Sequence, residues 1–150
     1  MTHYFLDSSS LVKRYITETG SDWIRAVVAP KAGNTIVIAQ VTPVEVMSAI
    51  YRQRREGIIA PRTAQAVRLL VDRHTKREYL VIELTSSILQ RAQDLLEVHP
   101  LRAYDSIQLA SALKTNKRLI AAGESALVFV SADARLVSAA TVEGLANNDV

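Results

Sequence analysis

A three-layer α/β/α sandwich around a small, mainly parallel sheet is the fold class this sequence predicts. Three observations lead there. Short stretches at YFL (4–6), IVIA (36–39), YLVI (79–82) and ALVFV (126–130) are continuously apolar, as strands buried on both faces must be. The segments between them carry helical spacing. Each connection is also much longer than a hairpin needs. With 49% hydrophobic residues among 150, the chain is long and apolar enough for one domain spanning residues 1–150 with a sizeable core.

The first strand is expected to end at Asp7. A helix follows, capped by one of Ser8 to Ser10, with Leu11, Val12, Tyr15 and Ile16 on one face. Ser21 and Asp22 open a short second helix carrying Trp23, Val27 and Val28, which Pro30 stops. After the second strand, TPVEVMSAIYRQRREG reads as a helix. Thr42 is its N-cap, Pro43 its first residue, and Gly57 lies just past its end. Pro61 starts a longer helix to about Lys76, with Ala64, Val67, Leu70 and Val71 as its apolar stripe. YLVIEL is the third strand. Thr85 then caps a helix to about Val98, and Pro100 separates it from the helix that contains Asp105. ALVFVSAD is the fourth strand, and ARLVSAATVEG is a last helix stopped by Gly144. The polar end LANNDV, residues 145–150, is expected to be a frayed tail.

Composition narrows the function classes. There is no cysteine, so disulfides, thiolate zinc sites and cysteine nucleophiles are excluded. Asp7, Lys13, Arg14 and Glu18 interrupt any signal-peptide pattern, and no run approaches the roughly 18 apolar residues of a membrane span. A soluble cytoplasmic protein with no membrane contact is expected. The net charge of +3 is compatible with a polyanionic partner. His3, His74 and His99 are scattered without metal-ligand spacing and are expected at the surface.

Most of the fifteen acidic residues suit solvated helix faces; four stand out. Asp7 and Asp133 follow the first and last apolar strands, at the sheet edge where parallel folds bind ligands. Glu45 lies in the first turn of the helix after the second strand, and Asp105 sits among small and apolar residues in PLRAYDSIQLASAL. Each has a structural alternative. Asp7 and Asp133 suit helix N-caps, and Glu45 completes a T-x-x-E capping box with Thr42. Asp105 has no cation at i+3 or i+4, and Arg102 offers only a solvated pairing. Four carboxylates converging on one edge would repel one another unless a hard cation such as Mg²⁺ or Mn²⁺ neutralised them.

The stretches around these acids resemble the PIN-domain ribonucleases. YFLDSSSLVKRYITE is similar to their opening motif, an Asp followed two residues later by Ser or Thr. VTPVEVMSAIYR resembles the second acidic motif, LRAYDSIQLASAL the third, and FVSADARLVSAATVEGL the closing one. Order and spacing match over essentially the whole chain, with VapC-type toxins of bacterial toxin–antitoxin pairs the most similar. The likeness implies a PIN-like fold and a metal-dependent endoribonuclease. It further implies that Asp7, Glu45, Asp105 and Asp133 hold one or two Mg²⁺ or Mn²⁺ ions, with Ser9 and Ser131 supporting them. The implied partners are RNA, a cognate VapB-type antitoxin and a second copy of the chain. The family often continues after the closing motif with a short apolar strand, which LANNDV does not resemble.

The arginines at 52, 54 and 55 and the run Arg73, His74, Lys76, Arg77 lie outside these motifs, and most suit a solvated helix face. The apolar helices RTAQAVRLLV and LVKRYI suit either a partner groove or the core. Two other functions compete. A PIN-fold binding module without chemistry would not need all four acids. An aspartyl-nucleophile phosphatase would want a second Asp two positions after Asp7, where Ser9 stands.

Overall fold

The computed structural model describes residues 1–150. Its strands are β1 (His3–Leu6), β2 (Thr35–Ala39), β3 (Tyr79–Ile82), β4 (Leu127–Ser131) and β5 (Ala146–Asp149). They form one sheet in the order β3-β2-β1-β4-β5, and every neighbouring pair is parallel. Between β1 and β2 lie α1 (Ser8–Leu11), a 3₁₀ turn at Val12–Arg14, α2 (Ser21–Val28) and a second 3₁₀ turn at Pro30–Ala32. Helices α3 (Thr42–Arg55) and α4 (Pro61–Arg77) join β2 to β3. Helices α5 (Ser86–Val98) and α6 (Ala103–Ala121) join β3 to β4, and α7 (Ala134–Val142) joins β4 to β5.

Side-chain alternation along the strands feeds two cores, which makes the third layer possible. Phe5, Val37 and Phe129 pack against Ile88, Leu95, Leu109 and Leu136 on the α5–α6–α7 side. Leu6, Ile36, Ile38 and Val130 pack against Ile24, Val46, Ile50 and Val67 on the α2–α3–α4 side. Phe5 and Phe129 are register partners in β1 and β4, and their rings stack 5.8 Å apart. Truncating either ring would cost ~3–5 kcal/mol. The pair therefore locks the register that places the residues after β1 beside those ending β4.

The chain runs outward from β1 through β2 to β3, then crosses back to β4 and β5. Strand order thus reverses between β1 and β4. In an open parallel sheet, a crevice forms at the C-terminal strand ends of such a switch point.

Several expectations need correction. The polar end, residues 145–150, is not a frayed tail. Gly144, at φ +84°, turns the chain out of α7, and Ala146–Asp149 then add β5 to the sheet in register with Val128–Ser131. An edge strand can be polar because backbone pairing holds it, while Leu145 beside it, 4% exposed, supplies the apolar anchor. The helix after β1 is one short turn followed by a 3₁₀ turn, and its cap is Asp7 rather than a serine. Leu70 of the predicted α4 stripe is exposed, whereas Ala64, Val67 and Val71 are buried. The histidines are not surface residues. His3 and His99 are buried, with His3 beside Ser125 and His99 2.8 Å from Glu143, and half-buried His74 packs with Tyr15 and Arg14. No helix is long and apolar enough to cross a membrane.

Candidate metal and active site

Asp7 leaves β1 at the switch point with its backbone N–H still bonded to Val130 O of β4, at 3.2 Å. That pairing points its side chain at the β4 end. Ser131 Oγ donates to Asp7 Oδ2 at 2.7 Å, Ser9 Oγ donates to the same carboxylate at 2.8 Å, and Ser10 N–H donates to Oδ1 at 2.9 Å. The two hydroxyls are in turn fed by the backbone. Ala132 N–H donates to Ser9 Oγ at 2.9 Å, and Asp133 N–H donates to Ser131 Oγ at 3.0 Å. Such a chain orients every donor toward one ionised acceptor. Asp7 is only 2% exposed, and that burial raises its pKa to about 6 against the pull of the Ser131, Ser10 and Ser9 hydrogen bonds.

Glu45 sits in the first turn of α3, but no capping box forms. The helix begins at Thr42 itself, with Val41 already in helical conformation and no side-chain cap. Thr42 is wholly buried and turns inward, where Gln108 Nε2 donates to its hydroxyl at 3.0 Å. Glu45 is thereby free to face the site. Gln108 Nε2 donates to its Oε1 and Ser8 Oγ to its Oε2, both at 2.9 Å. Burial raises the Glu45 pKa, the charge of Asp105 adds to it, and the bonds from Gln108 and Ser8 oppose it.

Asp105 lies in the first turn of α6, half-buried, with its pKa raised by burial first and by the charge of Asp133 next. Arg102 and Arg135 offset part of this, and all four residues line one cavity of about 170 Å³. Asp133 caps α7, accepting from Arg135 N–H at 2.9 Å through Oδ1.

All four acids thus sit on the C-terminal side of the sheet, in three groupings: Asp7 with its serines, Glu45 with Gln108 and Ser8, and Asp105 beside Asp133. None takes part in an ion pair. No three acidic or histidine side chains stand close enough together to hold one ion as they are placed. The donor set nevertheless fits a hard divalent cation. It is all oxygen, it lacks a paired cation, and Asp7, Glu45 and Asp105 carry raised pKa values that a positive charge would relieve. Chelation would require the carboxylates to draw inward.

Gln108, Ser8, Ser10, Arg102 and Arg135 were not singled out from sequence as site residues. Gln108 left a signal. It is an amide in the apolar run SIQLASAL, three residues after Asp105 and so on the same helix face.

The model of the PIN domain family matches residues 4–141. No curated protein matches the chain. Among solved structures, Pyrobaculum aerophilum PAE2754 is similar at a TM-score of 0.62 and 19% identity, covering 97% of this chain and 89% of that one. Mycobacterium tuberculosis VapC20, a sarcin-ricin loop cleaving toxin, gives 0.60 and 14%, covering 91% and 94%. VapBC2 from Rickettsia felis, bound to a DNA fragment from their promoter, gives 0.64 and 10%, covering 99% of each chain. With the match extending from β1 into α7, and all four acids inside it, the chain belongs to the PIN domain family.

Proposed function

We propose that the chain is a Mg²⁺- or Mn²⁺-dependent endoribonuclease and the toxin of a toxin–antitoxin pair. One observation carries this reading. A buried aspartate without a cationic partner stands at the switch point of a PIN-family sheet, and three more carboxylates lie on the same side. Asp7 and Asp105 would hold the main ion, Glu45 would bind it directly or through water, and Asp133 would complete the site. When bound, such an ion supplies Lewis-acid charge to the scissile phosphate and acidifies water near neutral pH.

This chain's own residues do the positioning. Ser9, Ser131 and the Ser10 amide fix Asp7 in one orientation. Gln108 and Ser8 fix Glu45, placing a carboxylate of raised pKa where it can orient an attacking water. The phosphatase alternative lacks its acid at position 9, where Ser9 instead ties up the carboxylate that would have to attack. The toxin assignment rests on the likeness to VapC20 and VapBC2, and the likeness to VapBC2 also supports a cognate antitoxin as partner; a second copy of the chain is proposed on the family resemblance alone.

The test is RNA cleavage by the purified protein with and without chelator. Activity that EDTA removes and Mg²⁺ or Mn²⁺ restores is expected; full activity in excess EDTA would refute the mechanism. Sequencing RNA ends after induction, beside Asp7→Asn, identifies the target.

A further inference from the structure

Between α5 and α6 opens a cavity of about 730 Å³, lined by residues of these two helices alone. Its volume lies within the roughly 300–1,000 Å³ of small-ligand sites. None of the four candidate carboxylates lines it, although Asp105 stands in the first turn of the same α6. The wall combines apolar surface from Ile88, Leu113 and Ala121 with four cations, Arg91, Lys114, Lys117 and Arg118. No acidic residue lines it.

Local helix physics does not account for this cluster. Lys114, Lys117 and Arg118 stand at i, i+3 and i+4, so α6 carries them on one face, where like charges destabilise a helix. None of the three takes part in an ion pair. Arg118, in the last turn, suits the negative end of α6, but Lys114 lies well before it. The half-buried Lys114 ammonium instead donates to Ser87 Oγ at 2.7 Å and to Thr85 Oγ1 at 3.1 Å. Both acceptors are neutral, and they belong to the cap and first turn of α5, which holds no acid. Lys114 is therefore fixed in place with its charge uncompensated. Arg91 is the one wall cation with a carboxylate, Glu143 at 3.0 Å. An adjoining cavity of about 430 Å³ shares Ile88, Lys114 and Arg118; its single acid, Glu83, is exposed and pairs with none of them. A concave wall of one sign concentrates potential and draws the opposite charge.

We propose that the α5–α6 cavity is a second site, one that binds a small organic phosphate with an apolar body. A phosphate monoester gathers nearly two negative charges in one compact group, as the convergence of Lys114, Lys117 and Arg118 requires. The Arg118 guanidinium pairs with its oxygens two at a time. The body of the ligand lies on Ile88, Leu113 and Ala121, which gives the site preference over free phosphate. A carboxylate brings only one charge and binds less tightly. The site stands apart from the nuclease reading, since no candidate metal ligand belongs to it.

The test is calorimetric titration of the full chain in EDTA, so that no metal at the carboxylates can hold the probe. The probes are 1-naphthyl phosphate, inorganic phosphate, 1-naphthoate and 1-naphthol. 1-Naphthyl phosphate should bind once per chain and about 10-fold or more tightly than each of the others. Amide chemical-shift changes should centre on Ser87 and on the stretch from Lys114 to Arg118. Lys114→Met and Lys117→Glu should each weaken binding by about 10-fold or more. Ala121→Asp, at an exposed wall position, should do the same by setting a carboxylate against the ligand. Lys76→Glu, exposed on α4, makes the same charge change as Lys117→Glu and should leave binding intact. Circular dichroism checks that each variant is folded, and three separate wall positions keep the test decisive. No binding, equally tight binding of any other probe, or binding that survives the wall variants would overturn the proposal. RNA that binds these residues while 1-naphthyl phosphate does not would overturn it too, and would assign the face to a macromolecule.

Discussion

Ser131, the last residue of β4, donates a 2.7 Å hydrogen bond to Asp7, the first residue past β1, across 124 positions of the chain. The parallel pairing of Leu6 with Val130 makes this contact, and the Phe5–Phe129 stack holds that pairing in register. The site's central acid is thus aimed by the core of the sheet itself. Asp7 is also the N-cap of α1, so the cap bond from the Ser10 amide helps fix the orientation of the proposed metal ligand.

Neutralising the acids separates activity from folding. Asp7→Asn and Asp105→Asn are each expected to abolish RNA cleavage in a gel assay while the proteins remain folded by circular dichroism. Either variant cleaving at the native rate would remove its residue from the proposed metal site.

Stability without metal should rise as the solution becomes more acidic. The pKa of Asp7 is about 6 in the folded chain, against 3.8 as its ordinary value, so the native state binds this proton more tightly than the unfolded state does. Its contribution is fully favourable below the unfolded pKa and is lost as pH rises through about 6. Two units correspond to ~3 kcal/mol. Urea unfolding in EDTA should therefore show a gain between pH 7 and about 4 from this group, and Asp7→Asn should flatten it. Saturating Mg²⁺ at pH 7 should offset the cost in wild type and not in Asp7→Asn. A native protein equally stable across that range in EDTA would contradict the assignment.

Ser131→Ala removes a donor from Asp7 and leaves the Asp133 N–H without its acceptor. A stability loss of about 1–3 kcal/mol is expected. With one lowering influence gone, the acid limb of the pH–rate profile should move to higher pH, and the Mg²⁺ requirement should rise by roughly 10–100-fold. Ser131→Thr keeps the hydroxyl and should keep the native profile. Identical profiles for Ser131→Ala and wild type would leave the serine with a structural role alone.

Gln108 tests the second grouping. Gln108→Leu keeps the volume but withdraws the amide from Glu45 and from Thr42. Cleavage should fall by about 10–100-fold. Gln108→Glu should fall further, since it sets a second carboxylate against one whose pKa burial already raises. Thermal unfolding distinguishes lost positioning from lost fold. A Gln108→Leu variant that is folded and fully active would exclude Gln108 from the site.

The sequence by itself determined four of the five strands and the helices from α2 onward, and it marked four acids as candidates, because each leaves a local trace. Apolar runs bounded by Pro43, Gly57, Pro61, Pro100 and Gly144 need no distant partner to be read, and Asp105 is conspicuous within an apolar stretch. Only the tertiary structure decided the rest. Ala146–Asp149 carry no apolar pattern, and become a strand because β4 offers an unpaired backbone edge. Thr42 and Glu45 have the spacing of a capping box, yet a buried amide 63 positions beyond Glu45 claims both side chains and redirects the glutamate to the site. Hydrogen bonds of that kind depend on which groups burial brings within about 3 Å, and burial belongs to the whole fold rather than to any window of sequence.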